Sequence, residues 1–205
     1  MLAPLLLLAA PALTPLGSDP PIRVWFNFDG NYSYADRAKV YAKTTEDAYL
    51  IVLRADAAGR VRVLFPLDPT DDQRIARGKK YELKGRGGRE AFVVNDSSGH
   101  GTVIAAISST PFRVDQFARQ GHWDTRVLSD QTMRDDAEAG LRALVRRMTP
   151  RGEPVVYSVA NYVVSEKYAR ARYPSRYAGA GWWSYDPFWG FRPGFWYRRT
   201  IVVVR

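Results

Sequence analysis

The chain has no cysteine and only two histidines among its 205 residues. The absence of cysteine excludes disulfide bonds, thiolate metal sites, cysteine nucleophiles and a lipid-modified cysteine. His100 and His122 stand in no paired spacing of the kind that zinc sites use. No pair of carboxylates has a context typical of a glycosidase. The sequence therefore predicts no catalytic residue, no metal and no cofactor, and we interpret the protein as not an enzyme.

Long apolar runs are confined to the amino terminus, where residues 1–12 read MLAPLLLLAAPA. The run has the length of a signal-peptide core and ends in a small-x-small pattern, and its prolines fit poorly in a membrane-spanning helix. We expect a signal peptide over residues 1–12 and a linker over 13–21, with a short membrane anchor as the alternative. The predicted location is the periplasm, the cell envelope or the extracellular space.

Residues 22–166 break into short runs rich in Val, Ile, Tyr and Phe, separated by Gly, Asp, Asn and Pro. Such runs are typical of β-strands joined by turns. The clearest pair is AYLIVLRA at 48–55 and RVRVLF at 60–65, joined by the turn Asp56-Ala57-Ala58-Gly59. In the second strand the alternation predicts Val61, Val63 and Phe65 on one face.

One segment has the helical period instead. Over 130–148 the apolar residues recur at steps of three and four, which predicts one amphipathic helix, capped by Ser129 or Asp130 and ended by Pro150. The apolar face consists of Met133, Ala137, Leu141, Leu144, Val145 and Met148. We expect a mainly β domain over 22–166, an antiparallel β-sandwich or partly open barrel with this one α-helix near 130–148.

Three polar loops deserve a chemical interpretation. Ser97 to Gly101, SSGHG, places hydroxyls beside His100, but adjacent residues rarely form a catalytic triad, so we predict a hairpin turn. The acidic loop Asp68 to Asp72 lacks the spacing of a calcium loop and is interpreted as a solvated turn. The stretch KGRGGR at 84–89 lacks the spacing of a phosphate-binding loop and is interpreted as an exposed flexible loop.

Three stretches carry a resemblance to a known family: AYLIVLRADAAGRVRVLFP at 48–66, RIARGKKYEL at 74–83 and VIAAISSTPF at 103–112. Over roughly residues 22–115 the chain resembles a bacterial family known as domain of unknown function 4384. The resemblance implies a β-rich accessory module found in exported or envelope-associated proteins. It implies no catalytic residues, because none are defined for the family, and the shared motifs are turns and core positions.

Residues 167–205 differ in composition from the rest of the chain. They hold eight basic residues, one acidic residue and 12 of the Trp, Tyr and Phe residues. Because burying each large ring contributes about 1.5 to 3 kcal/mol, so many rings exceed what one small core needs, and we expect some of them at the surface. We interpret the segment as a basic aromatic excursion ending in a terminal strand over 200–204 that pairs antiparallel with 155–165. Its candidate binding residues are Trp182, Trp183, Tyr185, Trp189, Phe191, Arg192, Trp196, Arg198 and Arg199.

Four roles remain open for this excursion. Its rings can pack back on the sandwich, form flat platforms for sugar rings, or lie at a membrane interface with arginines on anionic headgroups. Stacking on nucleic acid is disfavoured by the predicted export. We therefore predict an exported, non-catalytic binding or scaffold module of the cell envelope, with a cell-wall glycan, an anionic membrane surface or an envelope protein as its partner. The alternatives are a hydrolase with an unrecognised site and a purely structural partner domain.

Deleting residues 167–197 is expected to abolish retention on peptidoglycan or on anionic vesicles while the β domain stays folded. The reason is that the deletion removes the aromatic and cationic groups expected at the surface. Co-sedimentation at low and high salt measures both the loss and its ionic share, because salt screens exposed charges. Unchanged retention of the shortened chain would contradict the prediction.

Overall fold

The computed structural model describes residues 20–129 and 132–165, together with the backbone of 199–202. These residues form strands and three helices, several of them only two to four residues long. The elements are β1 (Ile22–Phe26), β2 (Asn31–Tyr32), β3 (Arg37–Ala38), β4 (Val40–Thr44), β5 (Ala48–Ala55), β6 (Val61–Phe65), β7 (Arg74–Ile75), β8 (Lys80–Leu83), β9 (Phe92–Val93), β10 (Gly99–Ser108), β11 (Ala118–Arg119), β12 (His122–Trp123), α1 (Thr125–Leu128), α2 (Thr132–Asp135), α3 (Ala137–Met148), β13 (Val156–Val164) and β14 (Arg199–Val202).

Two sheets organise the domain. The smaller has the strand order β1-β4-β8, and the larger follows the order β14-β13-β10-β5-β6, with β2 added beside β13 and β7 beside β5. All of these pairs are antiparallel except β2 with β13. The short strands β3 and β9 pair with each other, as do β11 and β12.

The larger sheet is buried on both faces. Along β5, Leu50 and Val52 enter the core between the two sheets, whereas Ile51 and Leu53 enter a second core beneath the helices. Strand β10 alternates in the same way, and α3 contributes Leu141, Leu144, Val145 and Met148 to the second core. The result is a sandwich of two sheets with a helical layer on the far side of the larger sheet. The predicted mainly β fold is confirmed as a sandwich, since the described sheets do not close into a barrel.

The single helix predicted over 130–148 is wrong in one respect, because the chain breaks it at Asp136. Asp136 has an extended backbone, and its carboxylate accepts the amide N–H of Ala139 at 2.9 Å, which caps the start of α3. A Cβ on Gly140 would lie 2.6 Å from the sulfur of Met133, so the missing side chain lets α2 pack on α3. The predicted apolar face is nevertheless buried, with Ala137 at its edge.

Strand β6 also departs from its predicted alternation. Its register with β5 shifts between Val52 and Leu53, so that Leu53 faces Val63 and Val52 faces Phe65. The extra residue, Leu64, forms a bulge, and a bulge changes which face the following side chains take. Val63 therefore packs against the helical core and Phe65 against the sandwich core, not together on one face.

Two predicted connections have different outcomes. The segment 97–101 is not a hairpin turn, because β9 pairs with β3 and β10 pairs with β5 and β13. At the carboxyl end, β14 pairs antiparallel with β13, from Val156 opposite Val202 to Val159 opposite Arg199. This is the pairing predicted for 155–165 and 200–204. Among the described residues no helix is both long and apolar enough to cross a membrane.

The predicted turn between β5 and β6 is present and touches the short helix α2. Gly59 has φ +76°, a value that L side chains rarely adopt, and a Cβ there would lie 2.8 Å from Cγ and 3.1 Å from the backbone nitrogen of Arg134. Gly78 has a similar φ of +72°, but nothing lies within 4 Å of its Cβ position. A side chain at Gly59 would therefore meet both backbone strain and a close neighbour, whereas one at Gly78 would meet backbone strain alone.

Replacing each glycine by alanine is expected to destabilise the protein unequally. Both changes place an alanine in the left-handed region, at about 1–2 kcal/mol each. Gly59→Ala should cost about 1–3 kcal/mol more, because the new methyl group overpacks against Arg134. Urea unfolding of the two variants measures the difference, and equal losses would contradict the contact between the turn and α2.

Candidate functional site

The strand β5 carries a charge into the sandwich core. Arg54 is only 3% exposed and lies on the same face of β5 as Leu50 and Val52. Its Nε donates to the Tyr162 hydroxyl at 2.8 Å, and its guanidinium carbon lies 4.0 Å from the centroid of the Phe92 ring. A buried cation is tolerated only with such partners, because its dehydration is costly.

Two carboxylates balance the charge of Arg54 and its neighbour Arg60. Asp96 lies between them, with one oxygen 3.5 Å from Arg54 Nη2 and the other 3.3 Å from Arg60 Nη2. Asp56 accepts from Arg60 Nε at 2.7 Å and from the amides of Ala58 and Arg60 at 3.0 and 2.9 Å. Two cations and two anions thus alternate from the core to the surface. This buried ionic chain anchors the turn between β5 and β6.

Tyr162 closes the inner end of the chain. Burial raises the pKa of its hydroxyl to about 12, although the neighbouring Arg54 favours ionisation. The Tyr162 ring packs over Gly101, its partner across β10 and β13, where a Cβ would collide with the ring. The phenol therefore stays protonated and accepts the Arg54 hydrogen bond at neutral pH.

A groove of about 520 Å³ opens on the surface near this chain. Its walls come from β6, from the loop between β8 and β9, and from the segment that includes β12 and α1. Val63, Leu64, Phe92 and Leu128 give it an apolar lining. The polar and aromatic part of the lining includes four arginines, one carboxylate and two ring side chains: Arg37, Arg62, Arg86, Arg89, Glu90, His122 and Trp123. We call this surface the arginine groove.

The arginines of the groove differ in their partners. Arg37 lies 3.7 Å from a carboxylate oxygen of Glu90, and Arg86 forms an ion pair with Asp68. Arg62 and Arg89 are exposed and form no ion pair or side-chain hydrogen bond with any residue that the structure describes. The groove therefore has an excess of positive charge available to an anionic ligand.

One wall brings together residues that stand far apart in the chain. Asp68 Oδ1 binds the Arg86 guanidinium and lies 3.3 Å from Nδ1 of His122. The indole N–H of Trp123 donates to the backbone oxygens of Pro66 and Leu67 at 3.2 and 3.0 Å, which fixes the ring in the wall. The acidic loop Asp68 to Asp72 and the loop at 84–89 thus meet in one polar wall.

A smaller cavity of about 320 Å³ adjoins the arginine groove and is lined in part by the buried ionic chain. Arg62 and Thr125 line both spaces, and Arg54, Asp56 and Arg60 line the smaller one. A ligand in the groove therefore lies next to charges that the fold already holds rigidly. Such preorganised charges lose little freedom on binding.

The predicted binding residues fall almost entirely outside the described residues. Arg199 lies in β14, which is described by its backbone alone. Trp182, Trp183, Tyr185, Trp189, Phe191, Arg192, Trp196 and Arg198 lie outside the described residues. Their role in binding stays a prediction.

The arginine groove was not predicted from the sequence, although two signals pointed to parts of it. Arg54 interrupts an otherwise apolar strand, which indicates a buried charge with partners elsewhere. Asp68 and His122 stand 54 residues apart in the sequence, and only the fold brings them into contact. Among the described residues, no group of three or more His, Asp or Glu side chains is placed to hold a metal ion.

Comparison with known proteins identifies the β-rich part of the chain. Residues 31–111 match the family model described as Domain of unknown function (DUF4384). The resemblance predicted from the sequence is thereby confirmed, over a narrower range than 22–115. No curated protein and no solved structure matched the chain. The matched residues include Arg62 and Arg89, whereas His122 and Trp123 lie beyond them, so the groove is lined by residues inside and outside the match.

Replacing Tyr162 by Phe is expected to change how stability depends on pH. Below pH 10 the phenol is neutral in folded and unfolded chains alike, whereas between pH 10 and about 12 it ionises only in the unfolded chain. Between pH 9 and pH 11.5 the wild-type protein should therefore lose about 2 kcal/mol that Tyr162→Phe does not lose. Urea unfolding at pH 9 and pH 11.5 measures the difference.

The matched control is Tyr34→Phe, at a tyrosine that is 67% exposed. It retains Tyr162 and should show the wild-type loss of stability at high pH. The same pH dependence in wild type and Tyr162→Phe would contradict the burial of an un-ionised phenol beside Arg54.

Proposed function

We propose that the protein is a non-catalytic binding or scaffold module of the bacterial cell envelope, and that it holds an anionic glycan chain in the arginine groove. The observation that carries the proposal is the pair Arg62 and Arg89, two exposed guanidinium groups beside an apolar floor with no acidic partner among the described residues. A guanidinium pairs with carboxylate or phosphate through two parallel hydrogen bonds, which suits an acidic sugar or a phosphodiester.

The lining of the groove favours a glycan over an inorganic anion. Trp123 is fixed by two hydrogen bonds of its indole N–H, and the half-buried Val63 and the exposed Val93 add apolar surface nearby. Apolar and aromatic surface contacts the C–H faces of sugar rings, while a few polar groups fix orientation. The formal charge of +9 on the whole chain also attracts anionic polymers from a distance.

Two further features support a location in the envelope. The amino-terminal run MLAPLLLLAAPA has the pattern of a signal peptide, and export to the periplasm, envelope or cell surface belongs to the proposal. The aromatic and basic residues 182–199 would add a second contact surface for glycan, anionic membrane or an envelope protein. Because they lie outside the described residues, the arginine groove is the part of the proposal that the geometry supports.

The double variant Arg62→Gln/Arg89→Gln is expected to weaken retention on purified peptidoglycan sacculi by about tenfold, because two charge-assisted contacts are lost. The effect should shrink at high salt, where the wild type also weakens. Co-sedimentation at several protein concentrations measures the apparent Kd.

The matched control is Lys43→Gln/Arg77→Gln, which removes the same charge from two exposed residues that form no ion pair with any described residue. This variant should bind like the wild type. Equal weakening in both double variants would show that net charge, not the arginine groove, causes retention. No weakening in either would refute the groove as the binding site.

A hydrolase is the second candidate, and one contact favours it. His122 lies 3.3 Å from Asp68 in the groove wall, which is the pairing that a histidine base and its orienting carboxylate require. However, Asp68 already forms an ion pair with Arg86, and this weakens the electrostatic attraction between the Asp68 carboxylate and the His122 ring. The sacculus assay separates the candidates: release of soluble fragments that His122→Gln abolishes would indicate hydrolysis, and binding without release supports a binding module.

A further inference from the structure

The last four backbone carbonyl groups of α3 accept hydrogen bonds from groups other than arginine side chains. The last four carbonyls of a helix lack partners inside the helix and commonly recruit basic side chains. Here Thr149 donates to Val145 through its hydroxyl at 2.8 Å and to Arg146 through its amide at 3.2 Å. Gln116 Nε2 donates to the Arg147 carbonyl at 3.1 Å, and the backbone N–H of Arg113 donates to the Met148 carbonyl at 2.6 Å.

Four guanidinium groups nevertheless gather at this end of the helix. Arg113, Arg146, Arg147 and Arg151 line a cavity of about 460 Å³, with Asp115 as its one acidic residue. All four are exposed, and none forms an ion pair with a residue that the structure describes. Like charges in one cavity repel each other, and an anion that binds among them relieves the repulsion.

An apolar slot opens directly beside these arginines. The slot has a volume of about 290 Å³, and Arg146, Thr149 and Arg151 line both it and the cationic cavity. Pro150, Pro154, Val155 and Tyr157 provide most of its apolar wall. The Tyr157 hydroxyl is turned toward Arg142, whose Nη1 donates to it at 3.3 Å. Glu153 also lines the slot and accepts a hydrogen bond from Ser109 Oγ at 3.1 Å. The slot and the cationic cavity together keep a net positive charge, because four arginines outnumber Glu153 and Asp115.

We propose that this helix end binds a lipid with an anionic headgroup, with the headgroup among the four arginines and part of one acyl chain in the slot. A simple anion needs no apolar slot, and an apolar ligand needs no cluster of four cations. Only an amphiphile with a negative head uses both. The site shares no lining residue with the arginine groove and is independent of the function proposed there.

The test uses the full chain and soluble alkyl phosphates below the concentrations at which they form micelles. Isothermal titration calorimetry compares inorganic phosphate with butyl, hexyl and octyl phosphate, and with octyl glucoside as a neutral amphiphile. Affinity should rise by up to about fourfold for each methylene that leaves water, until the slot is filled. Octyl glucoside should bind much more weakly than octyl phosphate, because it brings no charge to the arginines.

Two double variants assign the binding to this site. Arg146→Gln/Arg151→Gln is expected to weaken octyl phosphate binding by about tenfold or more, since both arginines border the slot and the cationic cavity. Lys43→Gln/Arg77→Gln removes the same charge from two exposed residues that line neither this site nor the arginine groove, and it should leave this affinity unchanged. Circular dichroism of both variants checks that these exposed substitutions preserve the fold.

Three results would overturn the proposal: equal affinity for inorganic and octyl phosphate, equal losses in the two double variants, or no loss in Arg146→Gln/Arg151→Gln. None of these results bears on the function proposed for the arginine groove, because that function is tested by sacculus binding of Arg62→Gln/Arg89→Gln. Loss of sacculus binding in the groove variant together with loss of octyl phosphate binding in the helix-end variant would support both sites separately.

Discussion

A single buried guanidinium constrains much of this structure. Arg54 lies on a strand whose two faces are both covered and is only 3% exposed, so its charge is shielded from bulk water and must be balanced by neighbouring groups. Asp96 and Tyr162 meet this demand directly, and Arg60 with Asp56 extends the balance to the surface. The β5–β6 turn contacts these groups through Asp56, β13 contacts them through Tyr162, and Gly101 leaves room for the Tyr162 ring.

The same constraint explains why the candidate site lies where it does. The ionic chain ends at the edge strand β6, where the arginine groove begins, so rigid charges stand beside a surface that is open to ligands. The groove also depends on segments beyond the DUF4384 match, because His122, Trp123 and Leu128 form one of its walls. The matched region supplies the four arginines and most of the apolar lining, and the following segment adds His122, Trp123 and Leu128. Binding specificity would therefore reside in the combination of the two.

The protein has two arginine-lined surfaces, and their surroundings differ. The arginine groove has a fixed tryptophan and an open form, which suits an extended polymer, whereas the end of α3 has a compact slot beside its arginines. The ligands proposed for both surfaces are of kinds common in a bacterial envelope, and this agrees with the proposed export. A scaffold that contacts glycan and lipid through separate faces could hold the two in proximity without any chemistry of its own.

The sequence by itself determined the elements whose cause is local. The strand β5, the turn at 56–59 and the apolar face of α3 follow from β-rich composition, turn chemistry and side-chain period. Only the tertiary structure decided the break at Asp136 and the bulge at Leu64, since Met133 packing on Gly140 and the register with Val52 involve residues that no local period relates. The arginine groove belongs to the same class: Asp68, Arg86 and His122 meet because three loops converge, and convergence is a property of packing, not of sequence spacing.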